Sequence, residues 1–94
     1  MLYITALIRP QAGHEEAVGA ALTALASASR TEAGCHAYEV FRRANAPLFI
    51  THEIWADRDA EKAHLKGPHV AALVASVGDF LDGPPEIHRC EKLA

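Results

Sequence analysis

Residues 53–69 of the chain contain side chains that could bind an aromatic molecule and transfer its protons. The segment carries an acid, Glu53, an indole, Trp55, and two imidazoles, His64 and His69. An imidazole titrates near neutral pH and can act as a general base, and an indole offers a flat apolar surface for stacking. These residue types in one short segment predict a pocket for a small aromatic substrate.

The two histidines are expected to lie in different helices. Gly67 can end the first helix, and Pro68 suits the first position of the next because no backbone donor is needed there. His69 would then lie in the first helical turn, where the helix dipole disfavours the imidazolium and leaves a neutral base. The break also prevents the one-face pairing of an H-x-x-x-H metal site, so no metal is predicted. A helix-end role for His64 and a solvent-facing role for His69 are the structural alternatives.

The candidate residues before these histidines lie on predicted strands. Side chains alternate along a strand, so Glu53 and Trp55 share one face and His52 lies on the other. The sequence does not say which face meets the helices, and only one of His52 and Glu53 is expected to contact a substrate. Tyr38, on the preceding strand, could add a hydroxyl to the pocket. Ordinary core packing is the alternative for Trp55 and Tyr38.

An alternation of strands and helices must position these side chains. Strands are predicted over residues 2–9, 35–43, 48–55 and 86–93, and helices over 14–30, from Asp57 or Asp59 to 65, and from Pro68 onward. The order βαββαβ is that of the ferredoxin-like α+β fold, whose sheet carries helices on one face only. The other face needs a cover, and apolar residues on both sides of the third strand favour a second copy of the chain.

The composition fits one small domain over residues 1–94, since half of the residues are apolar. Nine basic and twelve acidic residues are scattered along the chain, so no basic surface for a nucleic acid is predicted. No apolar run approaches the roughly 20 residues of a membrane span, and no basic leader precedes the first strand, so a cytoplasmic location is expected. Cys35 and Cys90 lack a C-x-x-C spacing and are interpreted as free thiols.

The pattern as a whole resembles the antibiotic biosynthesis monooxygenase family, and within it the quinol monooxygenases. The matching residues are Glu53-x-Trp55, Ala60, His64 and Pro68-His69, preceded by Glu32-Ala-Gly-Cys-His-x-Tyr38. The likeness extends over nearly the whole chain. It implies a homodimeric α+β barrel, in which two ferredoxin-like protomers place their sheets face to face. It also implies that dioxygen oxidises a quinol or polycyclic phenol to a quinone without a cofactor, because the substrate supplies the electrons.

The resemblance also suggests roles for the candidate residues. His64 or His69 would be the base that takes a phenolic proton, and Glu53 would orient a histidine. Trp55 and Tyr38 would bound the cavity. Which histidine acts is left open.

Three other functions remain on the same scaffold. An isomerase branch with a similar His-x-x-x-Pro-His segment acts on a phosphorylated sugar-like molecule, and it would need basic groups such as Lys66 or Arg42 at the cavity. A dimer without catalysis could hold a small aromatic molecule, and a purely structural dimer would have no cavity near Trp55. Heme degradation is disfavoured because the first strand lacks the asparagine that heme-degrading relatives use.

Overall fold

The computed structural model describes all 94 residues, which form a four-stranded antiparallel sheet with helices on one face. The elements are β1 (Leu2–Ile8), α1 (Glu15–Ser29), β2 (Cys35–Arg42), β3 (Phe49–Trp55), α2 (Arg58–Lys66), α3 (Pro68–Val77), a 3₁₀ helix (Gly78–Phe80) and β4 (Glu86–Cys90). The strand order is β2-β3-β1-β4, so β3 lies between the strands that α1 connects. The structure thus confirms the predicted ferredoxin-like α+β fold.

The last strand is shorter than predicted. β4 pairs only with β1, and its final residue, Cys90, lies opposite Tyr3 near the beginning of β1. Beyond that point there is almost no strand left to accept backbone hydrogen bonds, so β4 ends at Cys90 and not at residue 93.

The core identifies which sheet face meets the helices. Ile4, Ala6 and Ile8 of β1 are buried together with Val18 and Leu22 of α1. We call this face of the sheet the covered face and the opposite one the open face. Because side chains alternate along a strand, the buried residues of β1 show which face each residue of β1, and of the strands paired with it, lies on.

The break between α2 and α3 forms as the sequence predicts. Asp57 caps α2 by accepting a hydrogen bond from the backbone N–H of Ala60 at 2.9 Å. Gly67 has an extended backbone between the two helices, and Pro68 follows at the first position of α3. This break places His64 and His69 on separate helices.

A glycine allows the turn before β2 to approach α2 closely. Gly34 has φ +80°, and a Cβ at this position would lie 2.6 Å from the Cβ of Ala60. The carbonyl of Gly34 also accepts a hydrogen bond from the N–H of Ala56 at 2.8 Å. This approach brings Glu32, two residues earlier, next to the α2–α3 break.

None of the helices combines the length and the hydrophobicity that a bilayer crossing requires. Cys35 and Cys90 form no disulfide bond.

Candidate active site

A cavity of about 80 Å³ lies between the covered face of the sheet and the three helices. Apolar side chains form most of its wall, and the majority of these come from β1, α1 and α3. Its polar lining residues are Tyr38, Thr51, Glu53, Glu61 and His64. The residues at its more exposed edge include Leu65 and Ile87, which are 36% and 37% exposed. This edge is the mouth of the cavity.

Glu32 joins the two candidate histidines. Its Oε1 lies 2.6 Å from Nδ1 of His64, and its Oε2 lies 2.8 Å from Nδ1 of His69. An ionised carboxylate only accepts hydrogen bonds, so the neutral tautomer that suits this contact is the one in which a ring donates its Nδ1–H and has its lone pair on Nε2. One carboxylate therefore sets the orientation and the tautomer of both rings.

The two histidines differ in what they face. The His64 side chain is 3% exposed and lines the cavity, and its Nε2 makes no hydrogen bond within the chain. The His69 side chain is 38% exposed and lines a separate apolar groove between α1 and α3. The sequence analysis considered only the effect of the helix dipole on the charge of His69. The structure shows that the ring also contacts Glu32. Of the two imidazoles, only His64 can reach a molecule in the cavity.

Glu53 is fixed by two neighbours on the same strand face. Trp55 donates its Nε1–H to Oε1 of Glu53 at 2.9 Å, and the Thr51 hydroxyl donates to Oε2 at 2.7 Å. Burial raises the pKa of Glu53 above its ordinary value, and the hydrogen bonds from Trp55 and Thr51 oppose that rise. Glu53 makes no hydrogen bond to a histidine. Glu32 occupies the orienting position that the sequence interpretation gave to Glu53.

Two aromatic side chains pack around the His64 ring. Trp55 is fully buried, and its ring centroid lies 4.6 Å from that of His64. Tyr38 lies 5.5 Å from His64, also between ring centroids, and lines the cavity. Burial raises the pKa of Tyr38, which keeps its hydroxyl neutral. Trp55 does not line the cavity, so it supports the imidazole from behind and Tyr38 borders the open space.

Glu61 is a buried cavity residue that the sequence interpretation missed. Arg58 Nη1 and Arg89 Nε approach its Oε1 at 2.7 and 2.8 Å. The spacing of Arg58 and Glu61 on one predicted helix is a pairing signal. Nothing in the sequence indicates Arg89, which comes from β4.

Three other residues singled out from the sequence lie away from the cavity. His52 is on the open face, exposed, with its ring centroid 4.9 Å from that of Phe41. Arg42 is exposed and pairs with Glu16 at 3.4 Å, and Lys66 is exposed at the end of α2. No lysine or arginine lines the cavity. The structure thus brings together Glu53, His64, Trp55 and Tyr38, and leaves His52 outside. No group of three His, Cys, Asp or Glu side chains has an arrangement that could hold a metal ion.

The fold and the cavity can be compared with those of a known protein family. The family model for antibiotic biosynthesis monooxygenase matches residues 1–76. The chain therefore belongs to the antibiotic biosynthesis monooxygenase family.

Individual relatives agree with this assignment. The chain is 28% identical over 81 residues to the Mycobacterium tuberculosis protein named "Putative monooxygenase Rv0793", and the match covers 86% of this chain and 80% of the relative. The solved structure of Rv0793 superposes with a TM-score of 0.89, covering 99% of this chain and 95% of that one. The structure of PA3566 from Pseudomonas aeruginosa is 31% identical, with a TM-score of 0.91 and coverage of 99% and 94%.

Proposed function

We propose that this protein is a cofactor-independent monooxygenase that oxidises a quinol or polycyclic phenol with dioxygen to a quinone, and that His64 is its base. The observation that carries the proposal is a buried imidazole at an apolar cavity, with Nδ1 held by Glu32 and Nε2 free. Membership of the antibiotic biosynthesis monooxygenase family and the name given to the Rv0793 relative support the reaction class.

The reaction begins with a proton transfer to His64. Nε2 takes the proton of a phenolic hydroxyl, and the imidazolium that forms pairs with the phenolate on one side and Glu32 on the other. The electron-rich anion gives one electron to dioxygen, which leaves an aryloxyl radical beside superoxide.

The two radicals then combine at a ring carbon that carries hydrogen. His64 returns its proton to the outer peroxide oxygen, and a hydroperoxide results. Loss of that carbon's hydrogen together with the outer hydroxyl releases water and leaves a carbonyl on the ring. One oxygen atom of dioxygen enters the product and the other enters water, so all electrons come from the substrate.

Glu32 and the aromatic residues prepare His64 for this role. Glu32 stabilises the charge that the ring gains when it takes the proton, since a hydrogen bond to a charged group is worth about 1.5–3 kcal/mol. Trp55 packs behind the ring and keeps it aimed at the cavity. The neutral hydroxyl of Tyr38 can donate a hydrogen bond to a substrate oxygen.

The cavity is small for an aromatic ring. Its volume of about 80 Å³ is below the ~150 Å³ of an engineered cavity that binds benzene. A ring can therefore enter only when the side chains at the mouth, including Leu65 and Ile87, move outward. Both are partly exposed, so this movement breaks few contacts. One ring would fill the enlarged cavity and any further ring would lie at the mouth.

The charges around the cavity favour a neutral phenol over a phosphorylated substrate. The lining contains two carboxylate side chains, Glu53 and Glu61, and no lysine or arginine. A phosphate group would lie beside these two acidic side chains, and Arg58 and Arg89, which pair with Glu61, do not line the cavity. The isomerase alternative loses its support on this ground, and oxygen consumption separates the monooxygenase from a protein that only binds an aromatic molecule.

We also propose that the protein is a homodimer joined through the open face of the sheet. Ile50 and Ile54 of β3 lie on that face half-buried, and Phe41 of β2 is 44% exposed there. Covering these apolar side chains with the same face of a second copy would remove them from water.

Aerobic turnover by metal-stripped protein tests the proposed function. Menadiol or a hydroxyanthrone is the substrate, and oxygen uptake is followed against the same buffer without protein. Uptake well above this background supports the proposal. A rate no greater than the background, with protein that circular dichroism shows to be folded, would reject it.

A further inference from the structure

The mouth of the cavity lies between helix α2 and the edge strand β4. Leu65 belongs to α2 and Ile87 to β4, and both line the cavity with partly exposed side chains. The backbone of β4 pairs with β1 alone, and all five residues of the strand are exposed. A segment with few buried contacts moves more easily than one in the core. β4 is therefore the side of the mouth that can give way.

One ion pair spans this mouth. Nε of Arg89 on β4 donates a hydrogen bond to Oε1 of Glu61 on α2 at 2.8 Å. Arg89 lies two residues after Ile87, on the same face of the strand, and Glu61 lies one helical turn before Leu65. Among the side-chain hydrogen bonds of the chain, this bond alone joins β4 to a helix. It stands beside the two apolar side chains that must part when a ring enters.

A second arginine binds the same carboxylate oxygen without crossing the mouth. Nη1 of Arg58 lies 2.7 Å from Oε1 of Glu61, and both residues belong to α2. The Glu61 side chain is 2% exposed, and those of Arg58 and Arg89 are 44% and 38% exposed. The two ion pairs are thus alike in length and exposure, but only the pair with Arg89 ties β4 to α2.

We infer that the Arg89–Glu61 ion pair is a latch, which holds β4 against α2 and sets the rate at which ligands enter and leave the cavity. The inference rests on the proposed function only in that an aromatic molecule occupies this cavity. The closed volume of about 80 Å³ is below the ~150 Å³ of a cavity that binds benzene, so the latch opens before a ring can pass.

The latch closes again over the bound molecule. It is then intact in both the empty and the occupied protein and is broken only during passage. Its loss should therefore accelerate entry and exit by the same factor and leave the dissociation constant unchanged. Closure of this kind keeps water away from a reaction, and in many enzymes the opening step limits turnover.

Ligand exchange measured by fluorine NMR tests the inference without depending on turnover. The ligand is para-fluorophenol, a neutral single-ring phenol, and shifts of the Tyr38 ring signals show that it occupies the cavity. Line shapes at several ligand concentrations give the rates of association and dissociation. In Arg89→Gln we expect both rates to rise about fivefold, as for the loss of a partly exposed ion pair, with the dissociation constant kept.

The matched control is Arg58→Gln, which removes the other arginine from the same oxygen of Glu61. Its two exchange rates should stay within about twofold of the wild type, because the bond across the mouth remains. Near-ultraviolet circular dichroism shows that both variants are folded. If Arg89→Gln does not fold, Arg89→Met replaces it, because methionine keeps an apolar stem but cannot pair with Glu61. The same rise in both rates is then expected.

The outcomes separate the latch from the proposed reaction. A rise in both rates in Arg89→Gln alone supports the latch, even if the protein consumes no oxygen with menadiol. Unchanged rates, a rise in only one of the two rates, or an equal rise in both arginine variants overturns it, even if the wild type is an active monooxygenase. If the wild type binds no fluorophenol, binding by Arg89→Gln alone supports the latch, and binding by neither protein overturns it.

Discussion

The two faces of the sheet carry different kinds of side chain on the same strands. On β3 the covered face presents Glu53 and Trp55, both buried and hydrogen-bonded to each other. The open face presents His52 and Ile54, of which one is exposed and the other half-buried. The covered face therefore holds a fixed polar cluster beside a cavity, and the open face holds a mixed surface suited to association. The polar side chains beside the cavity are those whose orientation is fixed by burial and a hydrogen-bonding partner.

Replacing His64 with alanine should have the largest effect on the covered face. General-base catalysis contributes about 10²–10⁴-fold, so the rate of quinol oxidation should fall by about that factor. Initial rates of oxygen uptake, together with near-ultraviolet circular dichroism of the folded variant, measure this. A rate within about threefold of the wild type would show that His64 is not the base.

A charge on the open face should separate the proposed dimer. Ile54→Glu would bury a carboxylate without a partner between two sheets, which is strongly unfavourable. The dissociation constant of the dimer should rise by about a hundredfold or more, as measured by sedimentation equilibrium. A variant as dimeric as the wild type would place the interface elsewhere.

Removing the charge of Glu32 should weaken catalysis less than removing His64. In Glu32→Gln the imidazolium loses a charged partner, so the rate should fall by about 10–100-fold. His69→Gln is the matched control, because it leaves the contact between Glu32 and His64 intact and should cost less. If His69→Gln is the more damaging change, the base has been assigned to the wrong histidine.

The raised pKa of Glu53 predicts how its contribution to stability changes with pH. The folded protein holds this proton more tightly than the unfolded chain, because burial disfavours the carboxylate. The contribution is therefore fully present below the ordinary carboxyl pKa and is lost as pH rises through the raised value. Relative to the wild type, Glu53→Gln should become more stable as pH rises through this window. Urea unfolding at both ends of the window measures it, and a difference independent of pH would contradict it.

His52→Ala should have the smallest effect on the reaction. The side chain is exposed on the open face, so the catalytic efficiency should remain within about twofold of the wild type. The same assay as for His64→Ala applies. A large loss would mean that the open face takes part in the chemistry.

Local patterns were enough to predict the fold and the break beside the site. The helical spacing of apolar residues, the capping position of Asp57 and the pair Gly67-Pro68 each act within a few residues of the chain. The alternation on β3 also separated His52 from Glu53 correctly. Choosing between them required knowing which face the helices cover, and that depends on packing against α1.

The contacts of the polar cluster could not be predicted in the same way. His64 and Glu32 are 32 positions apart, and Arg89 and Glu61 are 28 apart. Such pairs form because the close turn at Gly34 and the edge strand β4 approach α2 in space. No short-range pattern records either approach, so the orienting carboxylate was assigned to Glu53 and Glu61 was not identified.

Isotopically labelled dioxygen gives the most direct test of the central proposal. Metal-stripped wild-type protein is mixed with menadiol and labelled dioxygen, the reaction is stopped early to limit exchange with water, and the product is analysed by mass spectrometry. A monooxygenase places one labelled oxygen atom in the organic product and the other in water, and His64→Ala should form little of the labelled product. A quinone without label, or labelled product formed equally fast without protein, would contradict the account.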